Sequence, residues 1–311
     1  MRAVSLLPSA TEMLYALGVE PVGVSHECDH PRAAKNLPSV IDTRIDPDRS
    51  SADINEQVTE ATQTGGVYEI DRERLAALDP DIIVSQAICD VCAVDDAQIH
   101  QAVADLGLDA DIVTTDPHSL EDVFEDIEQL GNVLSREERA ASVLDELRGR
   151  VEQVERVTPH DTTDGPRVAV FDWVDPVMVA GHWIPDMVER CGAAYGLAEP
   201  GERSRPREWS EIRIYDPEVI VLAPCGFGLD QTLDDLDAVT EREGWAEIAA
   251  VETGQVYAMD GHNYVNRPGP RLVDTLELLA ATIFPDTADA PETTGDAVRS
   301  VEANRWSRVM K

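Results

Sequence analysis

Five cysteines punctuate the chain, and four of them stand in polar company that a core thiol does not need. Cys28 lies in "HECDH", flanked by His26, Asp29 and His30. Cys89 and Cys92 form a C-x-x-C in "CDVC", and Cys225 lies in "APCGF". Thiolates and imidazoles hold soft metals, and the C-x-x-C spacing is that of metal and redox sites. Cys28, Cys89, Cys92 and Cys225, with His26, His30 or His262 nearby, are therefore candidate ligands for a thiolate-bound metal, zinc or iron–sulfur. Each of the four also has a plainer reading, because a free cysteine commonly fills an apolar core. Cys191 takes only that reading: it falls inside the helical pattern "WIPDMVERCGA". A redox role for Cys89 and Cys92 is the weaker alternative, since no helix N-terminus adjoins the pair to lower a thiol pKa.

The elements that must position these residues repeat. "DPDIIVSQAICDVC" (Asp79 to Cys92) and "DPEVIVLAPCGF" (Asp216 to Phe227) share an Asp-Pro start, an acidic residue, a run of apolar and β-branched residues, and then a cysteine. Around them, apolar runs of strand type alternate with helical spacing: "RAVSLLPS" before "SATEMLYALG", "RERLAALDP" before "DIIVS", "EVIVLAPCG" before "LDDLDAVTEREGW", and "GQVYAMDG" before "GPRLVDTLELLAATIF". This β-then-α order predicts α/β lobes with mainly parallel sheets. In such sheets ligands bind beyond the C-terminal strand ends. Cys28, Cys89, Cys92, Asp172, Trp173, Cys225, His262, Asn263 and Tyr264 all fall at those ends. "PSATE" opens a helix whose N–H groups and hydroxyls suit an anion or amide; Ser9 with Glu12 also fits a capping box. Apolar residues spaced by three and four run from about Ser119 to Val157, either as a helical hairpin or, from about Arg136, as one long helix. "TPHDTTDGP" then reads as a loop, and the tail after Phe284 as loose or packed outside. The implied division is 1–134 and 159–285 as α/β lobes, 135–158 as a linking helix, and 286–311 as a tail.

The charge narrows the partners. Sixty-one acidic residues against 25 basic ones give a formal charge of −36, and only Lys35 and Lys311 are lysines. Interleaved as they are with apolar patterns, the acids imply a folded, acid-coated, halophilic surface, tolerable where salt shortens the Debye length to ~3 Å at 1 M. Nucleic acid and anionic membrane are excluded as partners. No run approaches the ~18 apolar residues of a membrane helix. Glu12 interrupts the opening apolar stretch, so no signal peptide is read there; this and the odd cysteine count imply a cytoplasmic, reducing location. The chain carries no G-x-G-x-x-G, no G-x-x-x-x-G-K-[ST] and no G-x-S-x-G, so the usual phosphate cradles and nucleophile elbow are missing.

"SLLPSATEMLYALG" followed by "PVGVSHECDHP" resembles the start of the mature cobalamin-binding proteins of ABC importers. These belong to the helical-backbone class of substrate-binding proteins, with the iron-siderophore and haem binders. The resemblance continues through "LAALDPDIIVSQ", "DPEVIVLAPCGF" and "GQVYAMDGHNYVNRPGPRLVDTLELLA", over about residues 2 to 285. It implies two Rossmann-like lobes joined by a single long helix, with the ligand held between them. It also implies a permease partner. The chain departs from the exported members in lacking the leader and in adding the thiols.

The expectation is thus a non-catalytic protein that binds cobalamin, another corrinoid or a similar metal chelate. Ser9, Thr11, Trp173, Trp183, Asn263 and Tyr264 would supply hydroxyl, amide and aromatic contacts, with Arg267 and Arg271 as anchors or as partners of the acidic surface. The alternative is a cytoplasmic metal- or iron–sulfur-binding protein, an enzyme or sensor, using the cysteines on the same scaffold.

Overall fold

In the computed structural model, residues 1–88, 94, 96–159, 162, 165–288, 291 and 294–301 are described. The protein divides into two compact units. The first comprises Met1–Arg49, Asp53–Pro117 and Glu121–Leu147, and the second Ser50–Ala52, His118–Leu120 and Arg148–Lys311. Both are α/β.

The chain runs β1 (Ala3–Ser5), α1 (Pro8–Ala16), β2 (Val24–Ser25), β3 (Ser39–Thr43), α2 (Ser51–Gln63), β4 (Tyr68–Ile70), α3 (Arg72–Leu78), β5 (Ile82–Gln86), α4 (Asp96–Leu106), β6 (Asp111–Thr115) and α5 (Leu120–Val133). The first unit holds a parallel sheet of order β1-β5-β6 and a smaller one of order β2-β3-β4. The bonds Ser5 N–H to Gly23 O (3.0 Å) and Val22 N–H to Ala3 O (2.8 Å) dock the smaller sheet against β1. β1 and β5 are buried along their whole length, as parallel strands covered on both faces must be.

After Ser135, whose φ of 56° breaks the helical path, α6 (Glu137–Val157) runs for 21 residues, about 32 Å at 1.5 Å per residue. A left-handed residue therefore separates two helices where the pattern allowed one unbroken amphipathic stretch. The boundary between the units falls inside α6, between Leu147 and Arg148. Beyond it, Arg150 forks onto Glu277 (Nε to Oε1 2.9 Å, Nη2 to Oε2 2.7 Å) and reaches Asp274. Arg190 grips Asp186 through both oxygens and Glu155 at 2.8 Å. These charge-assisted forks fasten the second half of α6 within the second unit.

That unit continues β7 (Val168–Val174), β8 (Val177–Val179), α7 (Ile184–Arg190), β9 (Arg205–Pro206), α8 (Trp209–Tyr215), β10 (Val219–Leu222), α9 (Leu229–Asp234), α10 (Asp237–Thr240), α11 (Ala249–Glu252), β11 (Val256–Met259), α12 (Leu272–Ile283), α13 (Thr294–Ala297) and β12 (Val298–Ser300). Its sheet has the order β12-β11-β10-β7-β8-β9. β7, β10 and β11 are parallel, and the flanking strands antiparallel. Two features differ from the sequence reading. The β8–β9 edge was not anticipated, because β9 is two residues with no apolar alternation. The tail is partly ordered, with Val298–Ser300 pairing against β11 and covering its edge.

The repeated Asp-Pro has one structural meaning in both units. Asp79 (φ 42°) and Asp216 (φ 50°) are left-handed C-caps that end α3 and α8, and the following proline forbids another helical turn. Asp216 also accepts the Ala249 N–H at 2.9 Å. Aspartate tolerates this conformation better than most side chains. Each motif is thus a helix stop that launches a buried parallel strand.

One buried acid lies off the strands. Asp126, on the apolar face of α5 with Val123, Ile127 and Leu130, is 8% exposed, and its Oδ2 has no hydrogen-bond partner. Burial pushes its carboxyl up to about 7, and Asp122, Asp116 and Glu125 add to the rise. An acid whose folded pKa is raised binds its proton more tightly when folded, so it removes stability as pH rises from the unfolded value of ~3.9 towards 7. Asp126→Asn should therefore stabilise the protein more at pH 8 than at pH 5, by thermal melts at constant salt. An equal change at both pH values would show that Asp126 is ionised in the fold.

Candidate functional site

The exits of β7, β10 and β11 gather the candidate side chains of the second unit. β7 ends in Asp172, Trp173 and Val174. The Ala223 N–H bonds to Phe171 O (2.8 Å) and the Cys225 N–H to Asp172 O (2.9 Å), carrying the β10–β7 ladder into the loop. Trp173 donates its indole N–H to Asp175 O at 3.0 Å and meets Phe227 edge-on, centroids 5.4 Å apart. It is half-buried, with Phe227 against its ring. Asp172 is fastened by Ser204, while its Oδ1 is shut from solvent without a partner; burial pushes this carboxyl up to about 6.

After β11 the chain makes a π-helical turn, Gly261–Val265. Asp260 caps it, accepting the Asn263 N–H and side-chain amide at 2.8 Å each. Asn263 is thereby oriented by the turn. The Val265 carbonyl accepts the Trp183 indole N–H at 2.9 Å. Trp183 is only 6% exposed, and the structure places it as an anchor beneath the turn. His262 donates its backbone N–H to Phe227 O (2.9 Å). Arg267, 4% exposed, lies with Nη2 2.7 Å from His262 Nε2. A guanidinium only donates, so Nε2 is the acceptor. The Arg271 guanidinium stacks over Tyr264 at 5.6 Å from the ring centroid, and Arg271 is also the N-cap residue of α12. The exit thus brings together Trp173, Asn263, Tyr264, Arg267 and Cys225, with Trp183 behind them. Single π-turns are frequent at functional sites.

In the first unit, the N-cap of α1 falls two residues before the Ser9 that the sequence suggested. Pro8 is the helix's first residue and Leu7 its N-cap, with no side-chain cap, so the expected Ser9–Glu12 capping box does not form. Proline's fixed φ and missing N–H suit that first position. Ser9 and Thr11 are both buried. The Thr11 hydroxyl lies 2.8 Å from Ser5 Oγ and 3.1 Å from Cys28 Sγ, and Ser5 Oγ donates to Leu7 O at 2.9 Å. Cys28 is 3% exposed and packs with Val24 and Ala34 against Tyr15 and Leu37.

Of the expected thiolate set, Cys28 and Cys225 lie among the described residues, each within its own unit. Cys28 is part of the first unit's interior. Cys225 belongs to the second unit and is half-buried at the β10 exit. The acceptor nitrogen of His262 faces Arg267. His26 Nδ1 lies 3.1 Å from Ile41 O, and His30 is exposed in the following loop. Cys89 and Cys92 lie outside the described residues. Among the described residues, no group of three or more His, Cys, Asp or Glu side chains is placed to hold a metal ion. Cys191 is fully buried.

Sequence reading missed Gly261 and Gln86. A Cβ at Gly261 would sit 2.3 Å from Pro224 O and 2.6 Å from Ala223 O, so only glycine lets the π-turn approach the β10 exit. The glycine in "MDGHNY" was the available signal. Gln86, buried at the end of β5, carried none beyond its place in "DIIVSQ".

A family model described as periplasmic binding protein matches residues 4–262. The chain is 25% identical over 295 residues to an uncharacterized ABC transporter substrate-binding lipoprotein of Bacillus subtilis, covering 92% of this chain and 81% of that one. It is 23% identical over 284 residues to a vitamin B12-binding protein of Vibrio cholerae, covering 89% and 86%. The crystal structure of a periplasmic heme binding protein from Pseudomonas aeruginosa matches with a TM-score of 0.68 at 23% identity, over 92% of this chain and 93% of that one. These relatives correct the expected cytoplasmic location: they are a lipoprotein and periplasmic binding proteins, and none of them supports the alternative of a cytoplasmic metal protein. Among the described residues, no helix is long and apolar enough to cross a membrane.

Gly261→Ala should lower stability by about 1–3 kcal/mol, the usual cost of forcing atoms into a packed site, read as a lower melting temperature. An unchanged melt would show that the turn is not pinned to Pro224.

Proposed function

Because this chain is a member of the periplasmic binding protein family, we propose that it serves an ABC importer by binding a corrinoid or similar metal-chelate ring. Binding and release need no catalytic step, in keeping with a family of solute binders. The permease would be its partner. The observation that carries the ligand class is the second unit's strand exit. A half-buried Trp173 is fixed by its own indole bond, and Tyr264 lies under the Arg271 guanidinium. Flat aromatic faces with cationic neighbours suit a large, flat ring whose rim carries oxygen groups. Ser9, Thr11, Trp183, Asn263 and Arg267 belong to the same reading in graded ways. Asn263 and Arg267 sit at the exit. Thr11 and Trp183 each serve as structural supports within their own unit, since their polar atoms are already engaged there. The names of two relatives, a vitamin B12-binding and a heme-binding protein, agree with this ligand class.

The test is titration with cyanocobalamin, dicyanocobinamide and haemin in high salt, followed by tryptophan quenching and calorimetry. At least one should bind at micromolar affinity or tighter, about −8 kcal/mol. Trp173→Ala should weaken it by about 1–3 kcal/mol. Failure of all three to bind would overturn the ring-ligand reading.

A further inference from the structure

Trp173 is held from outside its own strand. Its indole N–H bonds to the Asp175 carbonyl at 3.0 Å, so the ring's orientation follows that carbonyl. Asp175 stands in the two-residue turn between β7 and β8. The β7–β8 ladder shifts register between Phe171 and Trp173. Such irregularities bend a strand and re-aim a side chain, and they leave the local ladder a weaker guide to where the turn sits.

A second segment of the same unit reaches that turn. Arg242, in the loop after α10, donates through Nη2 to Val174 O and to Asp175 Oδ1, at 3.2 Å each. Its Nε donates to Ala238 O at 2.8 Å. The guanidinium carbon lies over the Trp209 ring, 5.7 Å from the centroid. Trp209 is itself fixed: its indole N–H bonds to Glu243 O at 2.9 Å, and it stacks on Trp245 with centroids 6.1 Å apart and planes at 22°. Trp245 is 4% exposed. A chain of contacts therefore runs from buried Trp245 through Trp209, Arg242 and Asp175 to Trp173. The Arg242–Asp175 pair is partly exposed, with side chains 28% and 47% accessible, so its Coulomb attraction contributes little to stability. Its place matters more. Arginine can serve several acceptors in one plane while its face packs on an aromatic ring, which a lysine cannot do.

We propose that Arg242 is a positioning residue for ring binding, clamping the β7–β8 turn so that the Asp175 carbonyl holds the Trp173 indole where it meets the ligand. This rests on the ring-ligand reading above and adds to it how the aromatic face is kept in place. An indole already held loses little freedom when a ring packs on it, whereas a loosely held one must be ordered by the ligand at a cost in affinity.

The experiment uses Arg242→Met, which keeps an apolar stem and removes the guanidinium. Without ligand, the Trp173 fluorescence is obtained in each background as the difference on Trp173→Phe substitution. Acrylamide should quench it more steeply in Arg242→Met than in the unsubstituted protein; equal quenching overturns the clamp. With cyanocobalamin and haemin as separate probes, calorimetry in high salt should show Arg242→Met weakening whichever probe binds by about fivefold or more, within the range of coupling between neighbouring residues. In a Trp173→Ala background the same substitution should leave affinity unchanged, because Arg242 acts only through the indole. Equal losses in both backgrounds would show a general effect on the fold or a direct contact with the ligand, and would overturn the proposal. Should Arg242→Met fail to fold, Arg242→Lys, which keeps the charge and loses the planar fork, takes its place with the same expected pattern and the same overturning results. If neither probe binds the unsubstituted protein, the ring-ligand reading fails and the role in binding with it. That failure is distinct from failure of the clamp, which the quenching reads without ligand.

Discussion

Parallel strands buried on both faces leave a chain few places for polar side chains except where the ladders run out. β1, β5 and β10 are buried at every position. Their polar members survive only with partners at hand, as Ser5 does with Leu7 and Thr11, and Ser85 with Thr114. Beyond the last ladder bond that supply of partners ends. The helices covering the faces start or stop there, and backbone and side-chain donors turn outward together. The concentration of Trp173, Cys225, His262, Asn263 and Tyr264 at such exits follows from this constraint, and so does the partial exposure of Trp173. The rest of each unit serves to end its strands at the right level. Asp79 and Asp216, in their left-handed caps, set where β5 and β10 begin, and the four or five residues that follow set where they end.

The same constraint explains what the sequence could and could not disclose. The β-then-α order, the Asp-Pro launches and the helix pattern from Arg136 are local signals, and each corresponds to an element of the fold. The Asp-Pro echo was legible because a proline after a left-handed aspartate is a one-dimensional device. In the sequence, a cysteine at a strand end looks alike whether its sulfur turns outward or inward. For Cys28, only its packing among Val24, Ala34, Tyr15 and Leu37, and its contact with Thr11, 17 residues away in the chain, decides that. β8 and β9 escaped notice for a related reason. Strands of three and two residues at a sheet edge have too few positions to show alternation. Gln86 was invisible because the property that matters, a missing partner, is a property of its surroundings.

Charge enters the fold through arginine. With 61 acidic residues and two lysines, nearly all ion pairing must use guanidinium groups. Several of them sit at joints. Arg150 fixes α6 to α12, Arg190 ties α7 to α6, and Arg167 bonds to the carbonyls of Tyr215 and Asp216 at the α8 stop. A planar fork satisfies two acceptors at once and keeps its charge when half-buried. An exposed pair such as Arg49–Asp46 contributes little, since solvent and salt screen it. The acid coat can then be read as a property of the solvent interface, while the partly buried arginines set geometry.

The two strand exits differ in how far they are completed from within. In the second unit Asp260 holds Asn263, Val265 holds Trp183 and Arg267 meets His262, so the aromatic and amide groups are fixed before any ligand arrives. Groups already held lose little conformational freedom on binding, which favours affinity without large motion. Each exit nevertheless keeps one buried polar atom without a partner: Gln86 Nε2 in the first unit and Asp172 Oδ1 in the second. One is a donor. The other belongs to a carboxyl that burial pushes up to about 6, so its protonation changes within the mildly acidic range. A stable fold tolerates such atoms poorly within its core. Both atoms lie towards the ends of β5 and β7, where the ladders run out and the supply of partners with them.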